Sequence, residues 1–126
     1  MRAGDTFLRT DSDKHLWVVL SDPEKDPDHV LLVNMTTVSA RRERACILSR
    51  GDHPWITHET CINYDDLDTV VTTMSALQSA KDGGALKLQD RLSDAVLRRV
   101  LDGAANSSRL SLEKAEILEL QGLIDI

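Results

Sequence analysis

Apolar residues along the first half of the chain fall in short runs and alternations, and only beyond about residue 65 at helical spacing. His15-Leu16-Trp17-Val18-Val19-Leu20-Ser21 is apolar on both faces, the pattern of a central strand covered from two sides. His29-Val30-Leu31-Leu32-Val33-Asn34-Met35-Thr36-Thr37 repeats it and turns polar at its end. Thr6-Phe7-Leu8-Arg9 and Ala45-Cys46-Ile47-Leu48 are shorter strand candidates. Trp55–Tyr64, rich in β-branched and aromatic residues, predicts a longer one with Ile56, His58, Thr60, Ile62 and Tyr64 on one face. Polar turns separate these runs: Thr10–Lys14, the Asp- and Pro-rich Asp22–Asp28, and the arginine-rich segment from Arg41. Strands joined by turns rather than helical crossovers predict a small antiparallel barrel.

The second half reads differently. Leu67, Val70, Val71, Met74 and Leu77 follow helical spacing, although Thr69–Thr73 also suits a strand. After Gly83-Gly84, the positions Leu88, Leu92, Ala95, Val96, Arg99 and Val100 predict an amphipathic helix ended by Gly103 and Asn106-Ser107-Ser108. Ser111 is the expected N-cap of a last helix carrying Leu112, Ala115 and Leu118. The expected organisation is a β-barrel over residues 1–70 and a helical extension over 71–126, packed on the barrel or at a subunit interface.

Composition narrows the classes. The 126 residues fit one domain with a sizeable core, and 41% hydrophobic with 29% charged residues fits an ordinary solvated surface. A formal charge of −6 argues against broad nonspecific nucleic-acid binding but leaves room for a local basic site. Positive charge gathers at Arg41, Arg42, Arg44 and Arg50, which reads either as a solvated loop or as a phosphate-contacting rim. Two thiols without a signal-peptide pattern predict a reduced, cytoplasmic setting, and no apolar run is long enough for a membrane span.

Candidate chemistry concentrates in Ser49–Tyr64, where a Gly51-Asp52-His53-Pro54 turn leads into Trp55, His58 and Tyr64. Imidazole titrates near neutrality, so His53, His58 and His15 are candidate acid and base groups. Each is equally readable as a structural histidine satisfied by neighbouring polar groups. Trp55 is a candidate stacking surface, whereas Trp17 reads as core. Cys46, His53, His58 and Cys61 are zinc-ligand types within sixteen residues. They include no close Cys-x-x-Cys pair, and strand alternation sends His58 and Cys61 to opposite faces, so no metal or other cofactor is expected.

The succession Gly4-Asp5, Val18-Val19-Leu20-Ser21, Val33-Asn34-Met35-Thr36-Thr37 and Ile47-Leu48 resembles the MazF/PemK toxins over roughly residues 4 to 70. That family consists of small SH3-like barrels acting as endoribonucleases in toxin–antitoxin pairs. Two departures stand out: the family's Arg-Pro is His15-Leu16 here, and helices follow Gly84. The resemblance implies an SH3-like barrel, an antitoxin partner, a homodimer, and a hydroxyl pair, Thr36 and Thr37, at the catalytic site.

The expected function is a toxin-like component acting on single-stranded RNA without metal. His53, His58 and His15 would transfer protons, and Thr36 and Thr37 would orient a backbone oxygen. Lys14, Arg41, Arg42, Arg44 and Arg50 would hold phosphate, with Trp55 and Tyr64 beside the substrate. The alternative is a non-catalytic barrel binding a partner protein or nucleic acid. A homodimer is also suggested by the apolar chain end Leu123, Ile124 and Ile126.

Overall fold

The computed structural model describes residues 1–11 and 15–125. Lys14 and the body of the expected Thr10–Lys14 turn therefore lie outside the described residues, as does Ile126. The strands are β1 (Thr6–Arg9), β2 (Leu16–Val19), β3 (Val30–Thr37), β4 (Ile47–Leu48), β5 (Thr60–Asn63) and β6 (Val70–Thr72). Helix α1 (Met74–Asp82), strand β7 (Leu86–Gln89), and helices α2 (Asp94–Asn106) and α3 (Leu112–Leu120) follow.

All strand pairs are antiparallel and form one sheet in the order β4-β5-β3-β2-β1-β7. The eight-residue β3 carries two partners on one side, β5 against Asn34–Thr37 and β6 against Val30–Leu32. The sheet is mainly antiparallel β architecture with three helices, and it stays open: β4 and β7 end it without pairing to each other.

Two apolar layers explain why β2 and β3 are hydrophobic on both faces. Leu16, Val18, Leu31, Val33 and Met35 point to the side covered by α2, α3 and the chain end. Trp17, Val19, Val30 and Leu32 point to the side where Phe7, Leu77 of α1 and Leu86 pack. Burying a leucine or valine side chain in such layers contributes roughly 1.5–3 kcal/mol.

The structure redraws several expected elements. The strand beginning at Trp55 exists only over Thr60–Asn63, because the chain from His53 first closes a turn in which Ile56 N–H donates to the His53 carbonyl. His58 therefore lies before the strand. Val70–Thr72 is a strand and the helix starts behind it, with Thr73 Oγ1 accepting from Ala76 N–H at 3.0 Å. Leu88 sits on β7 against β1, and the next helix begins at Asp94, where Ser93 Oγ accepts from Val96 N–H at 3.2 Å. The segment expected to be a purely helical extension thus donates strands to the same sheet. Gly103 is inside α2 rather than at its end. Ser111 caps α3 through Lys114 N–H, as its position suggested.

The chain end does not stand apart. Leu123 N–H donates to the Leu118 carbonyl at 3.0 Å, and Ile124 is buried in the layer under α2 and α3. The apolar end that suggested a dimer is covered, over its described residues, by the chain's own core. Among the described residues no helix is long and apolar enough to cross a membrane.

Candidate functional site

Five of the residues singled out from the sequence come together although they lie far apart in it. His15, Thr36, Thr37, Trp55 and His58, with Met35 and Thr60, line a cavity of about 300 Å³ at the end of β3. The polar end of that strand makes this possible. Up to Met35 its side chains are buried, whereas Thr36 is half-buried and Thr37 exposed. The sheet here runs out of apolar cover and presents hydroxyls.

Both histidines of the cavity are tied to this strand. His15 precedes β2, and its Nδ1 lies 2.9 Å from the Met35 carbonyl oxygen. A carbonyl only accepts, so the proton of that contact sits on Nδ1. His58 Nε2 lies 3.2 Å from Thr37 Oγ1, and its Nδ1 lies 3.3 Å from Thr57 Oγ1. Hydroxyls donate or accept by rotation, so His58 can keep both contacts through a change of tautomer. Thr60 Oγ1 donates to the His58 carbonyl at 3.0 Å and anchors its backbone to β5. The two imidazoles thus bracket one strand end, at Met35 and Thr37, about 7 Å apart along the chain. Trp55 is half-buried, packed against the core on one side and lining the cavity on another.

His53 is elsewhere and differently employed. It is 4% exposed, accepts from Trp55 N–H on Nδ1 at 3.0 Å, and donates from Nε2 to the Asp90 carbonyl at 2.7 Å. Thr6 Oγ1 donates to the same carbonyl at 2.6 Å and lies 3.2 Å from Nε2. The ring holds the turn to β1 and to the segment before α2. Its catalytic assignment is replaced by a structural one because both nitrogens are spent inside the protein.

Tyr64 is also core rather than beside a substrate: it is 1% exposed and its hydroxyl donates to the Val100 carbonyl. Burial pushes its phenol far above the ordinary range.

The arginines do not line the cavity. Arg42 pairs with Asp65 at 3.5 Å and with Asp68 at 3.8 Å. The Arg41 carbonyl accepts from Arg109, while Arg44 and Arg50 are exposed. Glu43, between them, accepts from Ser107 Oγ, Ser108 N–H and Ser108 Oγ, fastening the loop to the α2–α3 junction. Burial raises its carboxyl, but these hydrogen bonds and Arg109 outweigh it and hold the group below its ordinary value.

Sequence reasoning missed Thr60 and the Met35 carbonyl. The register pairing Thr37 with Thr60 brings the third threonine to the site, and no local pattern displays that register. Comparison with family models, curated proteins and solved structures finds no match.

Proposed function

We propose that the chain is a toxin-like protein acting on single-stranded RNA, and that its working site is the cavity at the end of β3. The observation that carries this reading is the convergence of His15, His58, Thr36, Thr37 and Trp55 on one opening. The relationship to the MazF/PemK toxins and their SH3-like barrel belongs to the same proposal. Supporting it is the Thr36-Thr37 pair at the end of β3, the strand that runs antiparallel beside β2.

The chemistry needs no metal. One imidazole removes the proton of a ribose 2′-hydroxyl, whose oxygen attacks the adjacent phosphorus. The other protonates the departing 5′-oxygen, so the products are a 2′,3′-cyclic phosphate and a 5′-hydroxyl. The threonine hydroxyls donate to the phosphoryl oxygens as charge builds there. Trp55 offers its ring to a flanking base. An antitoxin partner in the cell follows from the same reading.

A specific observation favours a second reading. Among the described residues lining the cavity there is no arginine or lysine. A site of that composition also suits a binding module that recognises RNA without cutting it.

Both readings meet in one experiment. Purified protein is incubated with end-labelled single-stranded RNA in the presence of EDTA, and binding is measured on the same oligonucleotides. Cleavage that falls at least 10²-fold in His58→Ala and His15→Ala, at unchanged thermal midpoint, supports the enzyme. Binding without cleavage, lost in Trp55→Ala, supports the module. The absence of both cleavage and binding overturns the proposal.

A further inference from the structure

Away from the histidine cavity, a groove of about 940 Å³ lies between β6, α3 and the Asp22–His29 loop. Its apolar floor is formed by Val71, Ile117 and Leu120. Val71 is 39% and Leu120 85% exposed, and Leu67 and Leu112, at 98% and 66%, adjoin the rim residues Asp66 and Ser111. Val71 and Leu120, two of the six large apolar side chains that the described surface exposes, thus line one groove, which marks it as an interaction surface.

One wall is a strand edge of β6 that no other described strand pairs. Leu31 directs both backbone groups toward β2: its carbonyl accepts from Leu20 N–H at 2.9 Å and its N–H donates to Ser21 Oγ at 2.8 Å. Val71 is the register partner of Leu31 on the other side, so its own N–H and C=O point away from β3 along the outer edge of β6. Lys114 closes the edge just before it, donating to the Thr69 carbonyl and Oγ1. The edge is open at Val71.

The charges around the groove are unequal. Lys114 is engaged with Asp66 and Thr69, and Lys25 donates to the Gln121 carbonyl. Glu113 and Glu116 are exposed and make no ion pair among the described residues. A basic partner would neutralise them.

We propose that this groove receives an extended segment of another protein that turns both apolar residues and lysine or arginine to the groove. The segment adds to β6 through the Val71 backbone pair, seats its apolar side chains on Val71, Ile117 and Leu120, and turns its cations toward Glu113 and Glu116. In an added strand the residues at i, i+2 and i+4 share the face turned to α3, so the apolar and the basic residues both stand on that alternate set.

The test uses the full chain and two capped nonapeptides, one interleaving valine and lysine at its odd positions with threonine at the even ones, and its twin carrying glutamate in place of lysine. Amide chemical shifts and calorimetry follow the titration. The expected result is saturable binding of the basic peptide with shifts centred on Val71 and α3, and none for the acidic twin. Glu113→Lys with Glu116→Lys should weaken it about tenfold. Val71→Pro, which removes an N–H that β3 does not use, should weaken it as well, and exposed Leu120→Glu provides a variant that leaves the fold intact. Equal binding of the two peptides, no binding of either, or binding indifferent to Leu120→Glu overturns the proposal. A concentration-dependent dimer that Leu120→Glu dissolves overturns it too, by assigning the groove to a second copy.

Discussion

Gly103 of α2 passes so close over Tyr64 that a β-carbon there would stand 2.5 Å from the phenolic oxygen and 2.7 Å from Cys46 Cβ. The glycine lets the helix lie directly on the ring, and the Tyr64 hydroxyl then reaches the Val100 carbonyl one turn earlier on the same helix. Alanine would raise helix propensity by about 1 kcal/mol. Overpacking costs about 1–3 kcal/mol, and the Ala45 carbonyl, 3.1 Å from the added carbon, leaves little room to yield. Gly103→Ala is therefore expected to destabilise the protein, read as a lower urea midpoint at unchanged slope. A stabilised variant would show that α2 can lift from the sheet at no cost.

His53 and His58 should separate cleanly by mutation. Truncating His53 leaves the Asp90 carbonyl and the Trp55 N–H without their ring partners, a loss of about 1–3 kcal/mol. His53→Ala should melt several degrees lower, whereas exposed His58→Ala should melt close to wild type. Equal midpoints for the two variants would contradict the placement of the His53 ring.

These two residues also show how far the sequence was legible. Hydrophobic pattern located β2 and β3, and the doubly apolar runs correctly implied cover on both faces. Ser111 announced the start of α3 through its own side chain. Trp55–Tyr64 misled because β-branched composition cannot reveal that His53 closes a turn reaching Ile56, which delays the strand to Thr60. His53 and His58 look alike in sequence. What divides them is Asp90, thirty-seven residues away, against Thr37 at twenty-one. Gly103 read as a helix end because its reason, the Tyr64 ring, is a contact across the fold.

Acid should loosen the arginine-rich loop. Glu43 is held below its ordinary value, so the stability it contributes is present above pH 4.5 and is lost as pH falls through its folded pKa. Protonation leaves Ser107 and Ser108 donating to a neutral group and removes the charge facing Arg109. Glu43→Gln should flatten the acid limb of stability against pH. Protection of the loop amides against exchange, which falls at low pH in wild type, should already be low in the variant at neutral pH. An acid limb identical in the two proteins would remove Glu43 from the account.

Alkali should act through Cys46. Burial is the main cause that pushes its thiol from an ordinary value of 9.0 up to about 11, with Arg99 opposing. The folded state keeps the proton after the unfolded chain has released it. Stability from this group is therefore complete below pH 9 and declines as pH rises toward 11, by on the order of 2 kcal/mol. Tyr64, pushed upward by burial as well, adds to the decline at still higher pH. Urea midpoints taken from pH 7.5 to 10.5 should fall, and Cys46→Ala should fall less steeply over the same range. The native thiol should also react slowly with a disulfide reagent at pH 8, at a rate that rises with urea, because the thiolate forms only when the α2 contact opens. Fast, urea-independent labelling of Cys46 would mean that the layer beneath Gly103 is accessible in the folded protein.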